Sequence, residues 1–70
     1  MNATATVNGT PRSVEEGTTV ADLISSLGHD PAGRGIAAAV NGEVTPRSAW
    51  ASTVVTGGDR VEILTAIGGG

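Results

Sequence analysis

The sequence contains no cysteine and no lysine, and Trp50 is its only Trp, Phe or Tyr residue. Without cysteine there can be no disulfide framework and no thiol nucleophile. Without lysine the chain offers no side-chain amine to which a second copy could be joined, so a polymerising protein tag is hard to build from it. With a net charge of −3, it also lacks the basic face and the stacking rings that nucleic-acid binding uses.

The length of 70 residues predicts one small domain with a thin core, because a chain of this size buries only about 60% of its unfolded surface. His29 is a lone histidine, and metal sites need several ligands. The N-terminal residues show no signal-peptide pattern, and no stretch is long enough to span a membrane. We expect a cytoplasmic protein with no catalytic side chain, no metal or cofactor of its own, and neither nucleic acid nor membrane as a partner.

The first strand is predicted over residues 2–7, where apolar and polar residues alternate with the period of a half-buried strand. Asn8-Gly9 follows and predicts a two-residue hairpin turn, because both central residues of a type I′ turn need positive φ. The return strand is predicted over 11–14.

The main helix is predicted over residues 20–27, where the apolar residues recur at helical spacing on one face. Thr19 is the expected N-cap, Asp22 completes a shortened capping box, and Gly28 is expected to end the helix. A helix of about two turns is marginal alone, so packing against a sheet must hold it.

The second half of the chain repeats the strand and turn signals. A strand over 36–40 closes on Asn41-Gly42, a second turn of the I′ type. The segments that follow are predicted as a return strand from Glu43, an irregular or short helical stretch over 46–52, a short strand over 53–55, and a final strand over 60–66.

This order of elements predicts an α+β fold of the β-grasp, or ubiquitin-like, type. It would have a mixed sheet of four or five strands, with the first and last strands parallel neighbours and one main helix packed on one face. We expect residues 1–67 to form a single domain and residues 68–70 to form a flexible C-terminal tail.

The tail consists of Gly68, Gly69 and Gly70, directly after an apolar strand. Glycines can thread a narrow channel, and three extended residues reach about 10 Å, enough to place a terminal carboxylate inside a partner's active site. An enzyme can activate such a carboxylate as an acyl-adenylate, which a sulfur nucleophile converts to a thiocarboxylate. No side chain here could catalyse those steps, so a partner must. The plain alternative is a chain end with nothing to pack.

Several segments occur in an order that resembles the thiamine-biosynthesis sulfur carrier family, ThiS, over essentially the whole chain. The segments are VNG at 7–9, TVADLI at 19–24, AVNGEV at 39–44, PRSAW at 46–50, GDRVEI at 58–63 and the terminal glycines. A terminal diglycine is shared by all ubiquitin-like carriers. The PRSAW segment beside the Gly58-Asp59 turn is the more specific part of the resemblance.

The resemblance implies the β-grasp fold and a carrier cycle. An E1-like adenylyltransferase would adenylate the Gly70 carboxylate with ATP and Mg²⁺, a persulfide-bearing enzyme would deliver sulfur, and the thiocarboxylate would pass it to thiazole synthase. Gly69-Gly70 match the family's final pair. Gly68, Ala3 and Ala5 stand where members commonly carry larger residues.

A partner surface is predicted on the outward sheet face. Leu64 and Ala66 are expected to point away from the helix, as are Ala37 and Ala39 on the neighbouring strand. An apolar stripe on an exposed face can mark an interaction site. The alternative is that the alanines are simply tolerated there and Leu64 stands alone.

Other conspicuous residues have structural interpretations. Trp50 is expected to cover one end of the core, with a contact to a partner as the alternative. Asp59 is expected to bond to the backbone of its own turn. Arg47 and Arg60 are expected to be solvated charges, with contact to an acidic patch of a partner as the alternative for either.

Three other functions remain open at this point. The small subunit of molybdopterin synthase shares the tail chemistry, but it usually has a longer chain with more aromatic residues. A protein modifier would be found in isopeptide linkage to other proteins. A plain interaction module would carry its glycines without using them.

Overall fold

The computed structural model describes residues 2–66. Its elements are β1 (Asn2–Val7), β2 (Thr10–Glu15), α1 (Val20–Ser26), β3 (Ile36–Val40), β4 (Glu43–Thr45), a 3-10 helix (Arg47–Ala49) and β5 (Arg60–Thr65). The strands form one sheet in the order β2-β1-β5-β3-β4. β1 and β5 pair in parallel, and the other neighbours are antiparallel. This confirms the predicted mixed sheet. The predicted tail, 68–70, lies outside the described residues.

Both hairpins turn on an Asn-Gly pair, as predicted. Asn8 and Asn41 have φ values of 50° and 52°, in the left-handed region that Asn tolerates better than most residues. Both side chains also reach β5. Asn8 accepts a hydrogen bond from the Ile63 N–H at 2.8 Å and donates to the Ile63 carbonyl at 3.1 Å. Asn41 accepts from the Arg60 N–H at 2.9 Å. The two turns therefore fasten β5 from both sides.

Helix α1 begins with the predicted capping box. The Thr19 hydroxyl accepts from the Asp22 N–H at 3.1 Å, and the Thr19 N–H donates to the Asp22 carboxylate at 3.0 Å. The helix ends at Ser26 with Leu27 as its C-cap, one residue earlier than predicted. Gly28 follows with a φ of 89°, which supplies the expected left-handed stop.

The core lies between α1 and one face of the sheet. Trp50 is only 3% exposed, and its indole N–H donates to the Thr45 carbonyl at 2.8 Å. A buried Trp removes about 150–250 Å² from water, which confirms its structural role in a core made otherwise of aliphatic residues. The buried residues are Ala5, Val7, Val14, Val20, Leu23, Ile24, Ala38, Trp50, Val55, Val61 and Ile63.

The segment over 53–55 differs from its prediction as a short strand. It makes a single antiparallel bridge, between Val54 and Thr19. Its neighbouring backbone groups bond to Thr18 and Val20, around the start of α1. Because its pairing partner is the helix N-cap and not a sheet strand, the pairing stops after one residue.

Replacing Asn8 with glycine should destabilise the fold by about 1–3 kcal/mol, because the Ile63 N–H and carbonyl both lose a half-buried partner while the turn keeps a residue suited to positive φ. Asn41→Gly is the matched comparison, since it has the same turn and nearly the same φ but exposed hydrogen bonds. Urea unfolding should show the larger loss for Asn8→Gly. Equal losses would mean that the turn, and not the link to β5, determines the effect.

Candidate functional site

The sheet face opposite α1 carries an apolar cluster. Leu64 of β5 is 66% exposed and lies directly opposite Ala37 of β3. Ala39 lies opposite Val44 of β4, which is 79% exposed. Ala66, just past the end of β5, is also exposed. We call these residues the outer patch: Ala37, Ala39, Val44, Leu64 and Ala66.

The structure thus brings together the four residues that the sequence predicts for a partner surface, and it adds Val44. The hairpin at Asn41-Gly42 pairs Val40 with Glu43 and therefore Ala39 with Val44. That register follows from a two-residue turn, so the signal for Val44 was present in the sequence.

Charged side chains border the outer patch along β5. Arg60 and Glu62 approach to 3.8 Å with side chains 62% and 49% exposed. An ion pair this open to water contributes little to stability. Its position beside apolar residues corresponds to the polar rim around an apolar centre that protein interfaces commonly show. The prediction that Arg60 is a solvated charge is in agreement with this exposure.

Asp59 ties its own turn, as predicted. Its carboxylate accepts from the Thr56 N–H at 2.8 Å, from the Asn41 amide at 3.0 Å and from the Thr56 hydroxyl at 3.0 Å. These bonds, that from the Thr56 N–H first, lower the pKa of Asp59 below its ordinary value because they favour the ionised form. The residue therefore has a structural use.

Arg47 is exposed, as expected of a solvated charge, but it also makes contacts that the sequence did not indicate. Its guanidinium donates to the carbonyls of Pro31 and Gly33 and lies 4.7 Å from the centre of the Trp50 ring. The two carbonyls are 16 and 14 residues away in sequence, so no local pattern could have indicated them. Arg47 is a tertiary contact that joins the 3-10 helix to the loop before β3.

The end of β5 is held beside the start of β3. The Ala66 N–H donates to the Gly35 carbonyl at 2.7 Å. The outer patch therefore borders the point at which the chain continues toward Gly70. Ala66 thus belongs to the outer patch and is also the last described residue before the predicted tail.

Within residues 2–66, no group of three or more His, Cys, Asp or Glu side chains could hold a metal ion. In the same range no helix is long and apolar enough to cross a membrane. His29 is a half-buried residue just after the glycine that ends α1. Among the described residues, the candidate site is therefore the outer patch, bordered by hydrogen-bonded segments.

Within residues 2–66, one α-helix lies on a mixed five-stranded sheet whose first and last strands are parallel, and this arrangement defines the ubiquitin-like β-grasp class. A sequence model of the ThiS family matches residues 5–70, and the chain belongs to that family.

Solved structures give the same result. The crystal structure of the thiamine biosynthesis protein (ThiS) from Geobacter metallireducens is 41% identical, with full coverage of both chains and a TM-score of 0.71. An NMR solution structure of a thiamine biosynthesis protein from the same organism is 40% identical over all of this chain and 88% of that one, with a TM-score of 0.73.

A curated relative is a much longer protein with a different name. A thiazole synthase from Paramagnetospirillum magneticum (strain ATCC 700264 / AMB-1) is 39% identical over 64 residues, which are 91% of this chain and 19% of that protein. The chain thus spans about a fifth of the length of that relative.

Replacing Asp59 with alanine should lower stability at neutral pH by about 1 kcal/mol through the lost hydrogen bonds. Because folding lowers the pKa of Asp59 from its ordinary value of 3.8, the ionised form stabilises the fold above that value, and the contribution is lost as pH falls through the lower folded pKa. The gap between parent and variant should therefore narrow below about pH 4.

Urea unfolding across this pH range would measure the gap. Glu16→Ala is the control, since it removes the same charge from an exposed position. A gap for Asp59→Ala that does not change with pH would contradict a role for the ionised carboxylate.

Proposed function

We propose that this protein carries sulfur for thiamine biosynthesis, as a thiocarboxylate on Gly70. The observation that carries the proposal is the outer patch on β3, β4 and β5, of which β5 is the last strand before the glycines, in a chain that belongs to the ThiS family. Gly68 and Gly69 would extend Gly70 into a partner's active site while the patch docks on that partner. The protein is then a substrate of other enzymes, and they supply the catalysis.

The proposed chemistry begins with activation. A Gly70 carboxylate oxygen attacks the α-phosphorus of ATP on an E1-like adenylyltransferase, and pyrophosphate leaves with Mg²⁺ balancing its charge. The terminal sulfur of a partner's persulfide then attacks the acyl carbon, and AMP leaves. A thiol cleaves the resulting acyl disulfide, which releases the thiocarboxylate and oxidises the thiol to a disulfide.

Thiazole synthase is the proposed acceptor of the sulfur. The support is the Paramagnetospirillum thiazole synthase, which contains a segment similar to this chain within a much longer protein. A carrier and an acceptor that must meet repeatedly gain from being joined, because a linker raises the effective concentration of one for the other. In this proposal the same meeting occurs between the present chain and its partner.

The outer patch is the proposed docking surface for the adenylyltransferase. Leu64→Glu should weaken binding to that enzyme by about 1–2 kcal/mol, roughly the value of an anchor residue. The fold should keep its melting temperature, because Leu64 is 66% exposed. Titration calorimetry and thermal melting measure the two effects.

Val54→Glu is the matched control, since Val54 is also a large exposed apolar residue, 49% exposed, but lies beside the start of α1 and not on the patch. It should leave the affinity unchanged. If Leu64→Glu and Val54→Glu bind equally well, the interface lies elsewhere.

Deleting Gly70 tests the carrier proposal itself. The deletion leaves the carboxylate about 3.5 Å short of its reactive position in the partner's active site. A misplacement of even 1 Å there can cost about a hundredfold in rate. Gly70→Val should also lose carrier activity, because its Cβ and methyl groups would crowd a channel of the partner that admits only glycine backbone. An added residue after Gly70 would move the carboxylate too far. Stability should change by no more than about 0.5 kcal/mol.

The assay is ATP–pyrophosphate exchange with the adenylyltransferase, followed by intact mass after incubation with a sulfur source. The parent should show one oxygen replaced by sulfur. Exchange and loading of the Gly70 deletion at the parent's rate would exclude the carrier function. Isopeptide-linked adducts of the chain in its own cells would instead support a protein modifier.

A further inference from the structure

The loop that joins α1 to β3 is held from outside. Over residues 27–35 it contains no helix or strand. Its carbonyls at Pro31 and Gly33 accept hydrogen bonds from the two terminal nitrogens of the Arg47 guanidinium. A planar guanidinium with several donors in fixed directions can hold two carbonyls at once, which a lysine ammonium does less well. Arg47 therefore fixes the loop at two points.

Arg47 is itself anchored to the core. Its guanidinium lies 4.7 Å from the centre of the Trp50 ring, at a distance typical of cation–π contact. The Trp50 ring is 3% exposed, and its N–H donates to the Thr45 carbonyl at 2.8 Å. The loop is thus connected to a buried side chain of the core.

The far end of the loop holds Ala66. The Gly35 carbonyl accepts from the Ala66 N–H at 2.7 Å. A Cβ added to Gly35 would lie 3.3 Å from the Ala66 Cβ, and Gly35 has a φ of +73°. Glycine at this position therefore allows two chain segments to approach closely, in a conformation that other residues rarely adopt.

We propose that Arg47 and Gly35 are positioning residues that fix the origin of the C-terminal arm, residues 67–70. Arg47 orients the loop, and Gly35 at the end of the loop holds Ala66, from which the arm continues. This inference rests on the proposed carrier function. Four extended residues reach about 14 Å at most, so the position of Ala66 limits where the Gly70 carboxylate can reach in the partner's active site.

Docking of the body and placement of the carboxylate are then two separate steps of the encounter with the partner. The outer patch determines how tightly the body docks, and Arg47 with Gly35 determines how often the docked carrier has its carboxylate in place. Patch variants should therefore raise KM for the carrier. Arg47 and Gly35 variants should lower kcat and leave that KM nearly unchanged.

Hydrogen exchange followed by NMR measures the origin of the arm without any enzyme. In Arg47→Ala, protection of the Ala66 N–H should fall by at least about tenfold relative to the Ile63 N–H, because a local opening exposes one and not the other. Arg47→Lys should give a smaller loss. Arg12→Ala, which removes the same charge from exposed β2 at the sheet edge beyond β1, should change neither amide.

Steady-state adenylation of the full chain supplies the second readout. Arg47→Ala and Gly35→Ala should each lower kcat by about tenfold or more, on the same scale of sensitivity to misplacement. Gly17→Ala is the matched control for Gly35→Ala, because Gly17 has a φ of +88° but nothing near the added Cβ. It carries the same backbone strain without contact with Ala66.

Unchanged Ala66 protection and unchanged kcat in Arg47→Ala would overturn the inference. So would equal loss of protection at Ala66 and Ile63, since Arg47 would then act on global stability. If the parent chain is not adenylated at all, the carrier function fails. The exchange data then still decide whether Arg47 holds Ala66.

Discussion

The parallel pairing of β1 with β5 brings the first strand and the last strand together at the centre of the sheet. Its ladder joins Thr6 with Arg60 and Val7 with Val61. The Asn8 side chain lengthens this short ladder through its two hydrogen bonds to Ile63. If β5 slipped by one residue, Leu64 would turn into the core and the buried Val61 and Ile63 would turn outward. Core and outer patch therefore depend on the same register.

Much of this fold follows from local sequence signals. The Asn-Gly turns and the capping box act between residues at most a few positions apart, and their geometry is set by backbone sterics and short hydrogen bonds. The further use of Asn8 and Asn41 as links to β5 could not be predicted, because their partners are distant in sequence. The strand predicted over 53–55 shows that a local signal can also mislead. Its composition suits a strand, but its neighbour in space is the start of α1.

The candidate site divides in the same way. Strand alternation places Leu64 and Ala37 on one face, and the β3–β5 register puts them opposite each other. The position of Val44 on this face could have been predicted from the hairpin register, but it was not predicted. The contacts of Arg47 could not be predicted from the sequence, since its carbonyl partners come near only when the loop before β3 packs against the 3-10 helix. Alternation predicts which face a side chain occupies, and only the packed structure shows which loop it holds.

The distance in sequence between the paired strands has a consequence for the order of folding. Asn8 and Ile63 are separated by 55 positions, and contacts of such long range form slowly because a long loop must close first. The β1–β2 hairpin and the β3–β4 hairpin are local and can form early. β5 joins them late and adds Leu64 to the outer patch, whose Ala37, Ala39 and Val44 lie on β3 and β4. If the outer patch is the proposed docking surface, a nascent or partly unfolded chain would lack Leu64 in that surface, so folding would act as a checkpoint on docking.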